Sequence, residues 1–309
     1  MTGQELLYDG QEMVVQGNVV NKGKIKSMIP IELRGENAKI DNLEGEGSEI
    51  FAAGMIVGEG TLVDNKGTLI IGEAPRELVI GSNHYSIGDF GAAGVWMTEN
   101  LRETTGLTEN ASGTNSTNKQ YTHVNKSAIN DVAYGLLYNW YGATLGQNEV
   151  TDNQGNQSGQ TQIQGICPTG WHLPSDYEWS QLEEVIAKEA TGLYSTTLEA
   201  DNSTDFYTTA DFRGTNSGRK MKSTTAVNVQ DTDGSSNAKN LGGFEGLLTG
   251  SVEDGTSSRF DDHAFWWTSS TGSWKTYAYR RALTWSKEGS YRNQANDKSL
   301  YYAVRCKQN

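Results

Sequence analysis

The sequence predicts an α+β protein in two parts: a small all-β domain over residues 1–76 and a larger mixed domain over 77–309. Three observations carry this reading. Composition breaks near Ala74-Pro75-Arg76, because all 8 Trp and both Cys lie beyond it. One stretch alone has clear helical spacing. Nearly everything else is short apolar runs set between turn residues, which is the signature of strands.

In the first part those runs are Met13-Val14-Val15, Asn18-Val19-Val20, Met28-Ile29-Pro30-Ile31, Met55-Ile56-Val57 and Thr68-Leu69-Ile70-Ile71. A faint repeat is present: Val20-Asn21-Lys22-Gly23-Lys24-Ile25 matches Asp64-Asn65-Lys66-Gly67-Thr68-Leu69. Asn-Lys-Gly corners occur in hairpins and in β-solenoids. An antiparallel sandwich or prism is placed slightly ahead of a solenoid. Either would serve attachment or homo-oligomerisation rather than chemistry.

The second part opens with strand signals at Leu78-Val79-Ile80, His84-Tyr85-Ser86-Ile87 and Val95-Trp96-Met97. Residues 103–126 and 147–164 are polar and read as exposed loops. Between them Asn130 to Tyr141 is apolar and aromatic, a core element. Next comes Cys167-Pro168-Thr169-Gly170-Trp171-His172-Leu173-Pro174-Ser175-Asp176-Tyr177-Glu178-Trp179. Pro174 closes an extended approach. Ser175 and Glu178 form a capping box. Trp179, Leu182, Val185 and Ile186 then recur at helical spacing, with Glu183, Glu184 and Lys188 on the other side, so a helix runs from about Asp176 to Ala190. Residues 192–240 are mostly polar, anchored by Phe206, Phe212 and Met221. Gly242 to Leu248 returns to core, Phe265 to Ser269 is a strand, and Trp274 to Trp285 alternates like one. Gly289 to Ser299 reads as a polar turn and Leu300 to Arg305 as the closing strand. Cys167 has only one partner available, Cys306.

Bulk properties exclude several function classes. A net charge of -13 and a pI near 4.8 leave no basic footprint for nucleic acid. No apolar run has the length of a membrane span. Met1-Thr2-Gly3-Gln4-Glu5 has neither the basic start nor the apolar segment of a secretion signal. Either a leader has been removed, or the protein reaches its place by another route, as a phage structural protein does.

The motif from Cys167 to Trp179 resembles the centre of the Fibrobacter succinogenes major paralogous domain, a family common in Bacteroidetes surface proteins. Four further segments resemble it in the same order: Val95 to Arg102, Tyr134 to Tyr141, Phe265 to Ser270 and Ala303 to Cys306. The helix segment is also similar to that of formylglycine-generating enzymes. The resemblance implies a C-type-lectin-like fold for the second domain: a first strand, a middle helix, and a last strand tied back by a bridge. Fold alone does not give function.

Each candidate for chemistry has a plainer alternative. Cys167 and Cys306 would be a structural disulfide by their family positions, or a reactive Cu(I)-binding pair if the chain were an oxidase of the formylglycine-generating type. His84, His123, His172 and His263 have no metal-ligand spacing, and His172 reads as a packing residue. Asp231-Thr232-Asp233-Gly234, Glu253-Asp254-Gly255 and Asp261-Asp262 offer oxygen ligands of the kind Ca²⁺ takes. The full EF-hand pattern is missing, as are the Glu-Pro-Asn and Trp-Asn-Asp motifs of many C-type lectins, so these read as solvated acidic turns. No cofactor is expected.

The C-terminal aromatics are the strongest candidate for a binding face. Tyr and Trp among Ser, Asn and Arg is a paratope-like composition. The residues expected to make contact are Trp274, Tyr277, Tyr279, Arg280, Trp285, Tyr291, Arg292, Asn293, Asn296 and Tyr301. One side of their strands should pack on the helix and the other should meet a ligand. The sequence thus predicts a non-enzymatic binding protein, an adhesin or receptor-binding protein at a cell surface or on a virion. Its partner would be a protein or glycan on another surface. The family resemblance adds the variable proteins of diversity-generating retroelements, whose C-terminal codons are randomised. The alternatives are the copper-dependent oxidase and a phage tail receptor-binding protein.

Overall fold

The computed structural model describes residues 77–147, 161–188, 203–207, 209–223, 243–272 and 274–309, with backbone only at 294–296. Before residue 77 it describes the backbone of strands alone. The chain divides into two compact units, Met1–Glu77 and Leu78–Asn309.

In the first unit, Glu5–Tyr8 and Met13–Gln16 form an antiparallel pair. From there on, each strand pairs in parallel with the strand three further along. Met13–Gln16, Ile31–Leu33 and Met55–Val57 make one column. Asn18–Asn21, Lys39–Asn42 and Leu62–Asn65 make the second. Lys24–Ser27, Glu49–Ala52 and Thr68–Ile71 make the third. Three parallel columns repeated three times are the topology of a three-sided solenoid, not of the antiparallel sandwich that the sequence favoured. The faint repeat was the correct signal. Its two copies leave the second column at Asn21 and at Asn65, and enter the third at Lys24 and at Thr68. Apolar positions stack in register, with Ile50 paired to both Ile25 and Leu69.

The second unit is mostly β-sheet with a few helices. Asn83–Asp89, Val95–Met97, Lys307–Gln308 and Trp171–His172 lie side by side, so the last residues of the chain sit between two much earlier segments. Cys167 and Cys306 are joined by a disulfide there. A second sheet has the order Phe212–Arg213, Ser290–Asp297, Tyr277–Thr284, His263–Thr271, antiparallel throughout. The segment read as a polar turn at 289–299 is therefore mainly a strand of this sheet. Ser290 and Arg292 are buried, while Tyr291 and Asn293 between and beyond them keep some exposure.

The long helix spans Asp176–Lys188. Its capping box forms as expected: Ser175 Oγ accepts from the Glu178 N–H at 3.2 Å, and Glu178 Oε2 accepts from the Ser175 N–H at 2.9 Å. His172 Nε2 lies 2.9 Å from Glu178 Oε1. Burial works against charge on Glu178, yet the bond to His172 and the Lys307 ammonium hold its pKa down at about 2. Trp179 meets Trp96, Phe244 and Trp266 in tilted and edge-on contacts with centroids 5.2–5.8 Å apart. These rings anchor the core on the helix side of the second sheet. A second core, around Trp140, Tyr138, Trp267, Tyr302 and the disulfide, lies among the remaining elements.

Two expectations are corrected here. Glu183, read as solvent-facing, is 1% exposed. Residues 103–126 are not merely a loop. Gln120–His123 pairs with Leu136–Tyr138, and Thr122 and Val124 are fully buried. The buried Asn139 amide donates to the Ser116 and Asn118 carbonyls at 2.9 and 2.6 Å. A side-chain amide thus replaces the ladder that the polar sequence lacks. Among the described residues no helix is long and apolar enough to cross a membrane.

Candidate ligand-binding cleft

The second sheet has two faces of opposite character, set by strand alternation. Ala264, Trp266, Arg281, Leu283, Arg292 and Arg213 belong to the face toward the helix. There the Arg281 Nη1 donates to Asp176 Oδ1 at 2.5 Å and Arg292 Nη2 to Asp176 Oδ2 at 2.8 Å. Arg281 Nε lies 3.2 Å from Glu183 Oε1, and Arg213 pairs with Glu183. Burial alone would raise the Asp176 pKa. The charge of Arg281 and the hydrogen bond from Arg292 outweigh it and hold the carboxyl below its usual range. This cluster is buried structural machinery, closed to any ligand.

The other face carries a row that crosses four strands in register: Phe212 beside Tyr291, Tyr291 beside Ala282, Ala282 beside Phe265. Small Ala282 between two large rings leaves a hollow. The next row pairs Thr284 with His263, and the row on the other side sets Arg280 between Trp267 and Asn293. Phe212, Tyr291, Ala282, Phe265, His263, Thr284 and Arg280, together with Arg259, line an open cleft of about 210 Å³. The Phe212 and Tyr291 rings lie 4.8 Å apart and the His263 and Phe265 rings stack at 5.6 Å. The Arg280 guanidinium carbon sits 4.6 Å from the Phe265 centroid and 5.4 Å from that of Tyr291. Burial and the charges of Arg259 and Arg280 outweigh nearby Asp262 and push the His263 pKa down to about 4. The imidazole is therefore neutral at pH 7.

The expected contact residues separate into groups. Arg280 and Tyr291 line the cleft. Asn293 stands at its edge, its amide 3.4 Å from the Tyr291 hydroxyl. Trp274 is 71% exposed in the turn before Tyr277, at the end of the strand remote from Thr284, with Tyr277 half-buried beside it. Trp285 is partly exposed just past Thr284. The side chain of Asn296 lies outside the described residues. Three expectations need correction, because burial removes the residue from any surface. Tyr301 is buried, with its hydroxyl held by Asn110 and Gln120. Arg292 is locked to Asp176, and its guanidinium covers the buried Tyr279 ring at 4.5 Å.

Sequence reasoning passed over Arg259, Phe265 and His263 as contact residues and treated Phe212 only as an anchor. The signal was alternation. His263 and Phe265 share a face, as do Arg280, Ala282 and Thr284, but which rows meet depends on a register no single strand reveals. Among the described residues no cluster of three or more His, Cys, Asp or Glu could hold a metal ion. The Glu253-Asp254-Gly255 segment is the turn of a hairpin between Ser251–Glu253 and Thr256–Ser258. Asp231 and Asp233 lie outside the described residues.

A mixed β-rich unit with a buried charged helix face and an open aromatic cleft is the class of protein that this geometry defines. The chain belongs to the Fibrobacter succinogenes major domain family, whose model matches residues 91–307. Searches of curated proteins and of solved structures find no match.

Proposed function

We propose that the chain is a non-enzymatic binding protein, with the cleft-bearing face of the second sheet as its ligand site and a C-type-lectin-like fold in its second unit. One observation carries the reading. The row Phe212, Tyr291, Ala282, Phe265, flanked by Arg280 and His263, lines an open cleft, with Phe212 and Tyr291 partly exposed at its wall and Phe265 and Ala282 buried, while the opposite face is sealed by the helix. Binding energy concentrates in such aromatic and Arg anchors. In this reading the first unit attaches or oligomerises, the protein works outside a cell or on a virion, and the partner is a glycan or protein on another surface. The lectin-like plan draws support from the disulfide that ties the approach to the helix to the end of the chain. The retroelement reading draws on Trp274, Tyr277, Trp285, Tyr291 and Asn293, which retain exposed surface. A near-identical template repeat differing at adenines, beside the gene, would establish it.

The test is a glycan and protein array probed with the whole chain and with a Tyr291→Ala, Arg280→Met double variant. Loss of binding in a folded variant supports the site; undiminished binding places the ligand elsewhere. The copper oxidase is the rival. It requires two free thiols, whereas both sulfurs are joined in the disulfide. Stoichiometric Cu(I) uptake by the native, unreduced protein would favour the rival.

A further inference from the structure

We propose that the cleft takes a single ring bearing a negatively charged oxygen group, a carboxylate or a sulfate, and this rests on the binding reading above. The chain carries a net charge of -13, yet Arg259, Arg280 and His263 converge on one hollow. The Arg259 guanidinium has no ion-pair partner among the described residues. Its backbone is left-handed at φ +60°, which sets this residue at the cleft wall despite the strain. His263 Nδ1 is buried and has no hydrogen-bond partner among the described residues. A buried polar atom left unmatched in a cleft is a cost that a ligand atom removes. The positive charges act on one another: those of Arg259 and Arg280 both disfavour a proton on His263, and that of Arg259 disfavours the charge on Arg280. An anion seated among them relieves all three. Guanidinium groups bind carboxylate and sulfate oxygens by short charge-assisted bonds.

The rest of the cleft specifies the ring. Phe212, Phe265 and Tyr291 supply aromatic faces around the gap above Ala282. Its volume, about 210 Å³, falls below the roughly 300–1,000 Å³ of sites for drug-sized ligands, which suits one ring and not a chain.

Calorimetry on the whole chain with five probes tests this: glucuronate, glucose 6-sulfate and benzoate against glucose and methyl benzoate. At least one anion should bind about ten-fold or more tightly than its neutral counterpart, and Arg259→Ala should weaken that anion by about ten-fold. Arg259 is exposed, so its variant keeps the fold even where an Arg280 variant does not. The anionic probes separate a sugar acid, a sulfated sugar and an aromatic acid as the source. Neutral probes binding as well as anions, with Phe212→Ala abolishing both, would overturn the charge requirement and leave the cleft as the site. No binding by any probe at millimolar concentration overturns the inference, while the array result stands independently. Anion binding unchanged in Arg259→Ala overturns it as well.

Discussion

Arg280 and Arg281 are neighbours in the chain and lie on opposite faces of one strand. The Arg281 guanidinium is spent on Asp176 and Glu183 beneath the helix, and that of Arg280 lies over the Phe265 and Tyr291 rings in the cleft. The two should therefore respond oppositely to the same substitution. Arg281→Met strips a buried partner from two carboxylates and should lower stability by roughly 3–5 kcal/mol. Arg280→Met removes cation–π contacts and should lower it by about 1 kcal/mol while weakening ligand binding. Denaturant midpoints of the two variants check this. Equal losses would mean that Arg280 is as structural as Arg281.

The disulfide closes a loop with a sequence separation of 139. Loops of that length stabilise by roughly 5 kcal/mol in the chain-entropy account. A Cys167→Ser, Cys306→Ser variant should lose stability on that scale, read from its denaturant midpoint. Alkylation of the native protein followed by mass spectrometry should label neither cysteine.

Two groups give the stability a definite dependence on pH. The folded pKa of His263, about 4, lies below its ordinary 6.5. Above pH 6.5 it is neutral folded or unfolded. Between 6.5 and 4 only the unfolded chain takes its proton, so stability falls with pH across that window and levels off below it. Glu178 is held at about 2 against an ordinary 4.5, so its contribution is complete above 4.5 and is lost as pH falls toward 2. Urea midpoints between pH 7 and 3 should decline continuously. His263→Gln should flatten the upper part of the curve alone, and a curve identical to the parent's would contradict the buried, neutral imidazole.

Leu78–Asn309 is a compact unit with two buried clusters of its own. Residues 78–309 expressed alone should keep the disulfide and the melting temperature of that transition in the whole chain. A fragment that fails to give a cooperative transition would refute this.

The helix was legible in the sequence because its cues are local: Pro174, the Ser175–Glu178 box, and Trp179, Leu182 and Ile186 at fixed spacing. Glu183 escaped because its partners, Arg213 and Arg281, stand 30 and 98 residues away. A charged residue on a helix looks solvated until its counter-ions arrive from elsewhere. The same holds for the cleft. Arg280 and Tyr291 were identifiable by type, but Tyr301 and Arg292 have the same types and are buried. Only the pairing of Ala282 with Phe265 and Tyr291 shows where the hollow lies. In the first unit, the repeated Asn-Lys-Gly sequence was the cue to the parallel pairing of the strands that flank it, and strand content alone did not distinguish parallel columns from hairpins.

The covalent link between Cys167 and Cys306 also fixes how the second unit behaves under tension. A pull applied across residues 78 and 309 runs through the sulfur–sulfur bond and bypasses everything between the two cysteines. About 470 Å of extended chain, at roughly 3.4 Å per residue over the 139-residue separation, is shielded from load while the bond is intact. The second sheet and its cleft lie wholly inside that shielded stretch. Load applied at the two ends would lengthen the chain outside the bridge, and the strands that carry the cleft would stay within their covalent loop.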